Sequence, residues 1–358
     1  MSSKYQLSER HQNVLRATVR HYVATAEPVG SKTIAQEYGF QVSSATIRNV
    51  MGSLEKVGLL YQPHTSAGRI PSDSGYRIYV DRLIAPNESW GRQLEELYTQ
   101  QLDWGNCNIE TLLQRAAQIL ATLSGYIALV TLPQNDNNNL RHIQVVQTEA
   151  QQVMLIVVTA YQTQSIILEL ALPLEEDTDT EDSIAGELQL LSNFLNHKLR
   201  GRSLSALSSL DWGEIDREFQ RYTELIRAII DQLNQQTQLP PSTSIVISGI
   251  SEALRQPEFA RVKRIQTLLH LLEKEQEQLL PTIFARSDID GSPLGTTVRI
   301  GAENLLDPLN SCALIAAKYR QKDIPIGSVG VIGPTRMFYE NAIALVEAAA
   351  NSLSEALS

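Results

Sequence analysis

The first 58 residues contain three short helical patterns separated by strong stop signals, and this punctuation limits the fold more than any other feature of the sequence. Residues 8–25 carry apolar side chains at helical spacing, and Ser8 is a suitable N-cap. The Glu-Pro-Val-Gly sequence at 27–30 ends this pattern, because proline cannot continue a helix and glycine relaxes the turn. We therefore predict one amphipathic helix that ends before residue 27.

Two shorter helical patterns follow. Ser31 is predicted to cap a helix over 32–38. Ser43 and Ser44 are predicted to cap another over 45–57. A tight turn between the last two of three helices is typical of helix-turn-helix proteins, in which the last helix enters the major groove of DNA. The sequence therefore predicts a helix-turn-helix module at its N-terminal end.

A hairpin pattern follows the third helix. The apolar run 59–61 predicts a short strand, 62–67 is a polar loop, and the chain returns at 68–70. Strands in this place are typical of the wing of a winged-helix protein. Further helices are predicted over 76–84 and 88–104.

Charge is distributed unevenly along the chain. The net charge of −10 argues against binding to nucleic acid, but residues 1–84 carry ten basic and six acidic side chains, a net +4. Residues 85–358 carry 20 basic and 34 acidic side chains, a net −14. A small basic head that meets a polyanion, attached to an acidic body, fits this asymmetry. Ordinary scatter of charge also fits it, and charge alone does not decide between the two explanations.

Polar side chains on the third helix suit contacts with DNA. Arg48 can donate two hydrogen bonds to a guanine, and Asn49 can pair in the same way with an adenine. Ser43 and Ser44 lie at an amide-rich helix start, where a phosphate is held favourably. Alternatively, Ser31, Ser43 and Ser44 are only caps and Arg48 is a solvated side chain.

The second helix and the wing offer further contacts. The start of the second helix is placed to meet backbone phosphates, and the wing to reach the backbone or the minor groove. The predicted DNA contacts are Ser31, Lys32, Thr33, Ser43, Ser44, Thr46, Arg48, Asn49, His64, Thr65, Ser66 and Arg69.

The remainder of the chain mixes helices and strands. A helix at 109–123 precedes four apolar runs with short polar connections, which predict an antiparallel meander. The four runs are 126–132, 140–147, 153–159 and 165–171. After the acidic stretch 175–182, helical patterns dominate until strand patterns return beyond Pro281. We therefore predict an α+β multidomain chain, with one α+β domain interrupted by a mostly helical insertion.

Length and composition exclude several classes of protein. A chain of 358 residues suggests two or three domains. No run approaches the roughly 18 apolar residues of a membrane span, and the N-terminal end lacks the apolar segment of a signal peptide. Two cysteines and six histidines give no disulfide framework and no zinc-type spacing. Phosphate-binding loops, nucleophile elbows and metalloprotease motifs are absent from the sequence. We therefore expect a cytoplasmic protein that is not an enzyme and carries no cofactor.

Several strings in the chain resemble the HrcA family, the heat-inducible transcription repressors of bacteria. Within residues 27–80 these are EPVGSKTIAQEY, SSATIRN and PHTSAGRIP, of which the last two are specific. Towards the C-terminal end they are QPEFA at 256–260, IGAEN at 300–304 and GSVGVIGPTRMFY at 327–339. The matching strings therefore occur across the whole chain.

The resemblance implies a winged-helix head, a GAF-like domain and a dimerisation domain inserted into it. It also implies a homodimer that binds double-stranded DNA at the CIRCE inverted repeat of chaperone operons, with the GroE chaperonin supporting the active state. The domain boundaries expected on this basis are 1–86 for the winged-helix DNA-binding domain, 87–108 for a linker helix, 109–182 with 282–358 for the GAF-like domain, and 183–281 for the dimerisation domain.

Two positions of the third helix depart from the family pattern. Val50 and Gly52 stand where the family usually has Glu and Ala. Glycine within a helix costs about 1 kcal/mol relative to alanine. Either the helix frays more easily at Gly52, or this glycine allows the close approach of a neighbour.

Two other functions remain open at this point. A GAF-like domain that binds a small molecule would make the chain a ligand-sensing regulator, and the winged helix of a scaffold would bind protein instead of DNA. A repressor of chaperone operons that acts as a dimer is the leading hypothesis, because a two-fold protein matches an inverted repeat.

Overall fold

The structure is a computed structural model, and it divides into two compact units. The larger unit comprises Met1–Gly105, Leu113–Thr131 and Ile245–Ser358, and the smaller unit comprises Asn106–Leu112 and Leu132–Ser244. The residues that the structure describes are 7–65, 67–84, 88–101, 109–133, 139–149, 152–159, 163–169, 181–202, 225–229, 231, 245–260, 262–284, 296–322 and 324–357. Within them, no helix is long and apolar enough to cross a membrane, and no group of three or more potential metal ligands comes together.

The larger unit begins with a head of three helices, which confirms the three predicted helical segments. Its elements are α1 (Glu9–Thr25), α2 (Ser31–Glu37), α3 (Ser44–Lys56), β1 (Leu60–Tyr61), β2 (Ile70–Pro71) and α4 (Asp73–Ile78). The two short strands pair antiparallel, with Leu60 opposite Pro71 and Tyr61 opposite Ile70. The head core is fully buried where the helices meet, at Val14, Leu15, Val19, Ile34, Ile47 and Leu54.

Local capping explains where these helices begin. The Ser8 Oγ accepts a hydrogen bond from the His11 amide at 3.5 Å, and the Ser43 Oγ accepts one from the Thr46 amide at 3.2 Å. The prediction that Ser31 caps α2 is wrong, because Gly30 occupies the N-cap and Ser31 is the first helical residue. Ser43 alone is the cap of α3, and Ser44 begins the helix.

The chain continues from the head into the second part of the larger unit, called here the sheet body. A π-helical turn, Tyr79–Leu83, extends α4 and ends the head at residue 84. Helix α5 (Glu88–Gln101) then packs on the sheet body, with the buried Tyr98 hydroxyl donating to the Ala116 carbonyl at 3.1 Å in α6 (Ile109–Ser124). The segment expected as a linker helix is therefore held against its neighbours over these residues.

Five antiparallel strands form the centre of the sheet body. They are β3 (Ile127–Thr131), β7 (Ile245–Ser248), β8 (Thr297–Ile300), β9 (Cys312–Gln321) and β10 (Ile324–Pro334), in the order β7-β3-β10-β9-β8. Helices α8 (Ile250–Ala253), α9 (Val262–Lys274) and α10 (Gln276–Phe284) bury their apolar sides in a shared core with β3 and β9. The C-terminal α11 (Tyr339–Ala356) contacts β9, β10 and α5.

The smaller unit has a core of its own. Strands β4 (Leu140–Glu149), β5 (Gln152–Thr159) and β6 (Thr163–Glu169) form a three-stranded antiparallel sheet, and α7 (Glu181–Leu199) packs against it. The α7 side chain of Asn196 accepts from the Ile143 amide at 2.8 Å and donates to the Ile143 carbonyl at 2.7 Å. This pairing satisfies backbone groups of β4 that an open sheet edge would leave exposed.

The predicted four-stranded meander is wrong for its first strand. Strands β4–β6 do form a meander, but β3 pairs with β7 and β10 in the other sheet. A short polar connection allows two consecutive strands to pair, but it does not establish that both strands belong to the same sheet. Residues 175–180 of the acidic stretch lie outside the described residues. A helix is also predicted from the sequence over 213–236, and its residues 213–224 lie outside the described residues as well.

The compact units also differ from the expected domain boundaries. The insertion expected at 183–281 overlaps the smaller unit only up to residue 244, and β4–β6 belong to that unit as well. Helices α9 and α10 pack on the five-stranded sheet instead, because their leucines complete its core. Amphipathic helices of this kind carry no signal in sequence for the sheet that they will cover.

Candidate nucleic-acid interface

Helix α3 has a buried side and a free polar side. Ile47, Val50 and Met51 point into the head core, so the unusual Val50 is an interior side chain. Arg48 and Asn49 are exposed on the other side and have no hydrogen-bond partner among the described residues. These two side chains are therefore available to a ligand.

The start of α3 is partly occupied by its own capping contacts. The Ser43 Oγ accepts from the Thr46 amide and also lies 3.0 Å from the Thr46 Oγ1. Ser44 is half-buried in the first turn. Ser43 thus has the capping role that the sequence-based alternative gave it, and both Ser43 and Thr46 lie at the same end of the helix as Arg48.

The first turn of α2 contains Ser31, Lys32 and Thr33. Lys32 is exposed, whereas Ser31 and Thr33 are half-buried. Gly30 caps this turn without a side chain, so the helix start offers its amides without a competing hydroxyl at the cap.

The wing loop places two of its four predicted contacts in solvent. His64 and Thr65 are exposed. The side-chain amide of Gln62 holds the loop, because its Nε2 donates to the carbonyls of Thr65 at 2.9 Å and Ala67 at 2.8 Å. Ser66 lies outside the described residues. Gln62 is not among the predicted contacts, because a lone glutamine in a polar loop gives no signal of this role.

Arg69 has an internal partner instead of a free guanidinium. Its Nε donates to the Glu55 Oε2 at 2.9 Å, and its backbone amide and carbonyl pair with Val29. The side chain therefore joins β2 to α3 and holds the wing in place. Glu55 was not among the predicted functional residues, because the contact spans the turn between helix and hairpin.

Pairing leaves less free positive charge on the head than its composition indicates. Arg20, Arg69 and Arg77 form ion pairs with Glu340, Glu55 and Glu303. The exposed basic side chains of the head without an ion-pair partner among the described residues are Arg10, Lys32, Arg48 and Lys56. The free charge therefore lies at the starts of α1 and α2 and along α3.

Comparison with known proteins places the chain in a family. The model "HrcA protein C terminal domain" matches residues 110–343. Heat-inducible transcription repressor HrcA of Nostoc punctiforme is 54% identical over 99% of this chain and 98% of that protein. The protein of the same name from Synechocystis sp. is 46% identical over the full length of both. The chain belongs to the HrcA family of heat-inducible transcription repressors.

Members of the HrcA family are named as transcription repressors, so the chain belongs to a class of regulators and not of enzymes. The crystal structure of a hypothetical protein has the same fold, with a TM-score of 0.65 and 23% sequence identity over 98% of this chain and 99% of that chain. The family and the fold therefore extend over the head as well as the sheet body.

Gly52 occupies open space in this HrcA-family head. A β-carbon at Gly52 would meet no atom within 4 Å, so the glycine does not serve a close approach within the described part of the chain. We expect Gly52→Ala to raise the free energy of unfolding by about 1 kcal/mol, because alanine has the higher helix propensity. Urea unfolding of Gly52→Ala beside Gly52→Ser, which should fall between alanine and wild type, measures this effect. Equal or lower stability of the alanine variant would contradict it.

Proposed function

We propose that the chain is a DNA-binding repressor whose head is a winged helix-turn-helix domain, with α3 in the major groove and the hairpin β1–β2 as the wing. The free guanidinium of Arg48 beside the free amide of Asn49 on the outer side of α3 carries this proposal. Arginine pairs with guanine, and asparagine pairs with adenine, through two hydrogen bonds each. Lys32 at the start of α2 and His64 with Thr65 in the wing are assigned to phosphates and sugars.

The proposed operator is a CIRCE-type inverted repeat, bound by a homodimer. A two-fold symmetric protein presents two heads to two half-sites of a palindrome. We assign the smaller unit to dimerisation and the five-stranded sheet, which has helices on both faces, to a GAF-like domain. Membership of a family of heat-inducible repressors supports chaperone operons as the target.

A gel-shift titration of the purified chain tests the proposal directly. The duplexes are a CIRCE-type inverted repeat and a scrambled control of the same length and composition. Preference for the inverted repeat supports the proposal. Equal binding to the inverted repeat and to the scrambled duplex, with or without GroE, would contradict it. Repeating the titration after incubation with GroE tests the chaperonin, and an unchanged active fraction would contradict its proposed role.

Salt dependence distinguishes DNA binding from a scaffold whose head binds protein. A dimer that makes six or more phosphate contacts is expected to lose on the order of 10³-fold in affinity between 50 and 200 mM salt, because binding releases counterions from the DNA. Fluorescence anisotropy with a labelled operator at four salt concentrations gives the slope. A flat dependence would contradict the proposed contacts of Lys32, His64 and Thr65 with phosphate.

A further inference from the structure

Two segments of the sheet body that are far apart in sequence contact the head. They are residues 298–303 at the end of β8 and residues 336–340 at the start of α11. A third segment, residues 256–258 at the turn Pro257–Ala260, holds Arg336 in place through the side chains of Gln256 and Glu258. Each segment contributes a charged side chain or a backbone group to the contact. These contacts are called here the latch, defined by Asp73, Arg77 and Arg20 of the head and Glu258, Gly301, Glu303, Arg336 and Glu340 of the sheet body.

Arg336 joins the sheet body to the last turn of α1. Its Nη1 donates to the Val23 carbonyl at 2.5 Å, and its Nε donates to the Glu258 Oε1 at 2.5 Å. The last four carbonyls of a helix have no partner within the helix, and a cation at this end interacts favourably with the helix dipole. Only 11% of the Arg336 side chain is exposed, so this contact is shielded from water.

Helix α4 presents two charged side chains, one turn apart, to the end of β8. Asp73 accepts a hydrogen bond from the Ala302 amide at 3.1 Å. Arg77 donates to the Val298 carbonyl at 2.6 Å and to both carboxylate oxygens of Glu303, at 2.8 Å for Oε1. An acceptor and a donor at i and i+4 both engage the sheet body, which fixes the rotation of α4 about its axis.

The close approach at Asp73 depends on a glycine. Gly301 has a φ of +55°, and a β-carbon there would lie 2.0 Å from the Asp73 Oδ2. A side chain there would displace the Asp73 carboxylate, and most residues would also resist the left-handed backbone conformation. The glycine of the IGAEN string is therefore required by the contact with the head.

The third contact joins α1 and the π-helical turn to α11. The Arg20 Nη2 donates to the Glu340 Oε1 at 2.8 Å, and the Tyr79 hydroxyl donates to the same oxygen at 3.1 Å. Burial raises the pKa of Tyr79 to about 12, so this hydroxyl keeps its proton at neutral pH. Beside this contact the rings of Tyr76 and Tyr339 pack with their centroids 5.7 Å apart, and both rings are buried.

We infer that the latch fixes the direction of the head on the sheet body, and that Arg336 and Arg77 are positioning residues for operator binding although neither lies on α3. This inference rests on the proposed function. Directional hydrogen bonds at three separate places leave the head no free rotation about any one of them. In a dimer, heads held in this way accept one separation of the two half-sites, because each added base pair turns a half-site by about 34° around the DNA axis.

The test measures how strictly each protein reads the spacing of the half-sites. Wild type and Arg77→Met/Arg336→Met are titrated with the inverted repeat and with duplexes whose spacer is one or two base pairs longer or shorter. We expect wild type to lose at least tenfold in affinity for the altered spacers. The double variant should lose less than threefold, because its heads can turn to follow the half-sites.

Controls separate a loss of positioning from a loss of folding. Arg255→Met removes an exposed arginine that directly precedes residues 256–258. Among the described residues, Arg255 donates no hydrogen bond to the head, so this variant should keep the strict spacing of wild type. If the double variant fails to fold, Arg20→Gln serves instead, since half of the Arg20 side chain is exposed. Its loss of affinity for the altered spacers should be smaller than that of wild type.

The outcomes for the latch and for the proposed function differ. A folded latch variant with the strict spacing of wild type would overturn the latch, and so would a wild-type protein that binds all spacers equally well. In both cases the DNA-binding proposal stands. A wild-type protein that ignores every duplex would instead overturn the proposed function.

Discussion

Replacing Arg48 with alanine is expected to weaken binding to the inverted repeat by roughly 10- to 100-fold for each head that uses it. The side chain is exposed on α3 and has no partner within the described residues, so its removal leaves the protein fold intact. The loss should come from one or two hydrogen bonds to a base edge. A gel-shift titration against the inverted repeat measures it.

Lys32→Ala is the matched control for this prediction. A lysine on a phosphate carries no sequence information, so its loss should weaken binding to operator and scrambled duplex alike and reduce the salt slope by about 1 per head. Arg48→Ala should instead reduce the preference for the operator. Undiminished operator affinity of Arg48→Ala would remove this residue from the interface.

Replacing Gly68 with alanine is expected to destabilise the head by about 3 kcal/mol. A β-carbon at this position would lie 2.4 Å from the Val29 carbonyl oxygen and 2.7 Å from the Pro28 carbonyl carbon. Both are backbone atoms, which cannot rotate aside as a side chain can. The substitution must therefore separate β2 from the turn between α1 and α2, and it should also displace the wing.

Chemical denaturation of Gly68→Ala beside Ala67→Ser measures this cost. The neighbouring Ala67 is half-buried and the change to serine adds a single hydroxyl, so the serine variant should remain within about 0.5 kcal/mol of wild type. If the two variants unfold at the same denaturant concentration, the close approach at Gly68 is not needed for the fold.

Helices α1, α2 and α3 could be predicted because their signals are local. Ser43 caps α3 through the amide three residues ahead, and such a contact is readable in the sequence. The N-cap of α2 was harder to predict, since Gly30 and Ser31 are both acceptable N-cap residues and the chain uses the glycine. Arg48 and Asn49 follow from the same helical periodicity that buries Ile47 and Val50.

Contacts between distant segments could not be predicted in this way. Arg69 is a basic residue in a polar hairpin, and such a residue resembles a DNA contact until its pairing with Glu55 of α3 is known. The partners of β3 are strands more than 100 residues further along the chain, and no local pattern identifies them. Gly301 and Arg336 lie in strings that resemble the family, but their contacts with the head, including the approach of Gly301 to Asp73, depend on the fold of the whole larger unit.

The contact between Arg336 and the Val23 carbonyl has a consequence for work with fragments. A peptide cut after residue 84 would keep α3 and the hairpin but would lose Arg336, whose guanidinium donates to a carbonyl in the last turn of α1. It would also expose the ring of Tyr76, which is 2% exposed in the whole chain. The head is therefore not a detachable module, and a change that destabilises the five-stranded sheet should also destabilise the helices α1–α3.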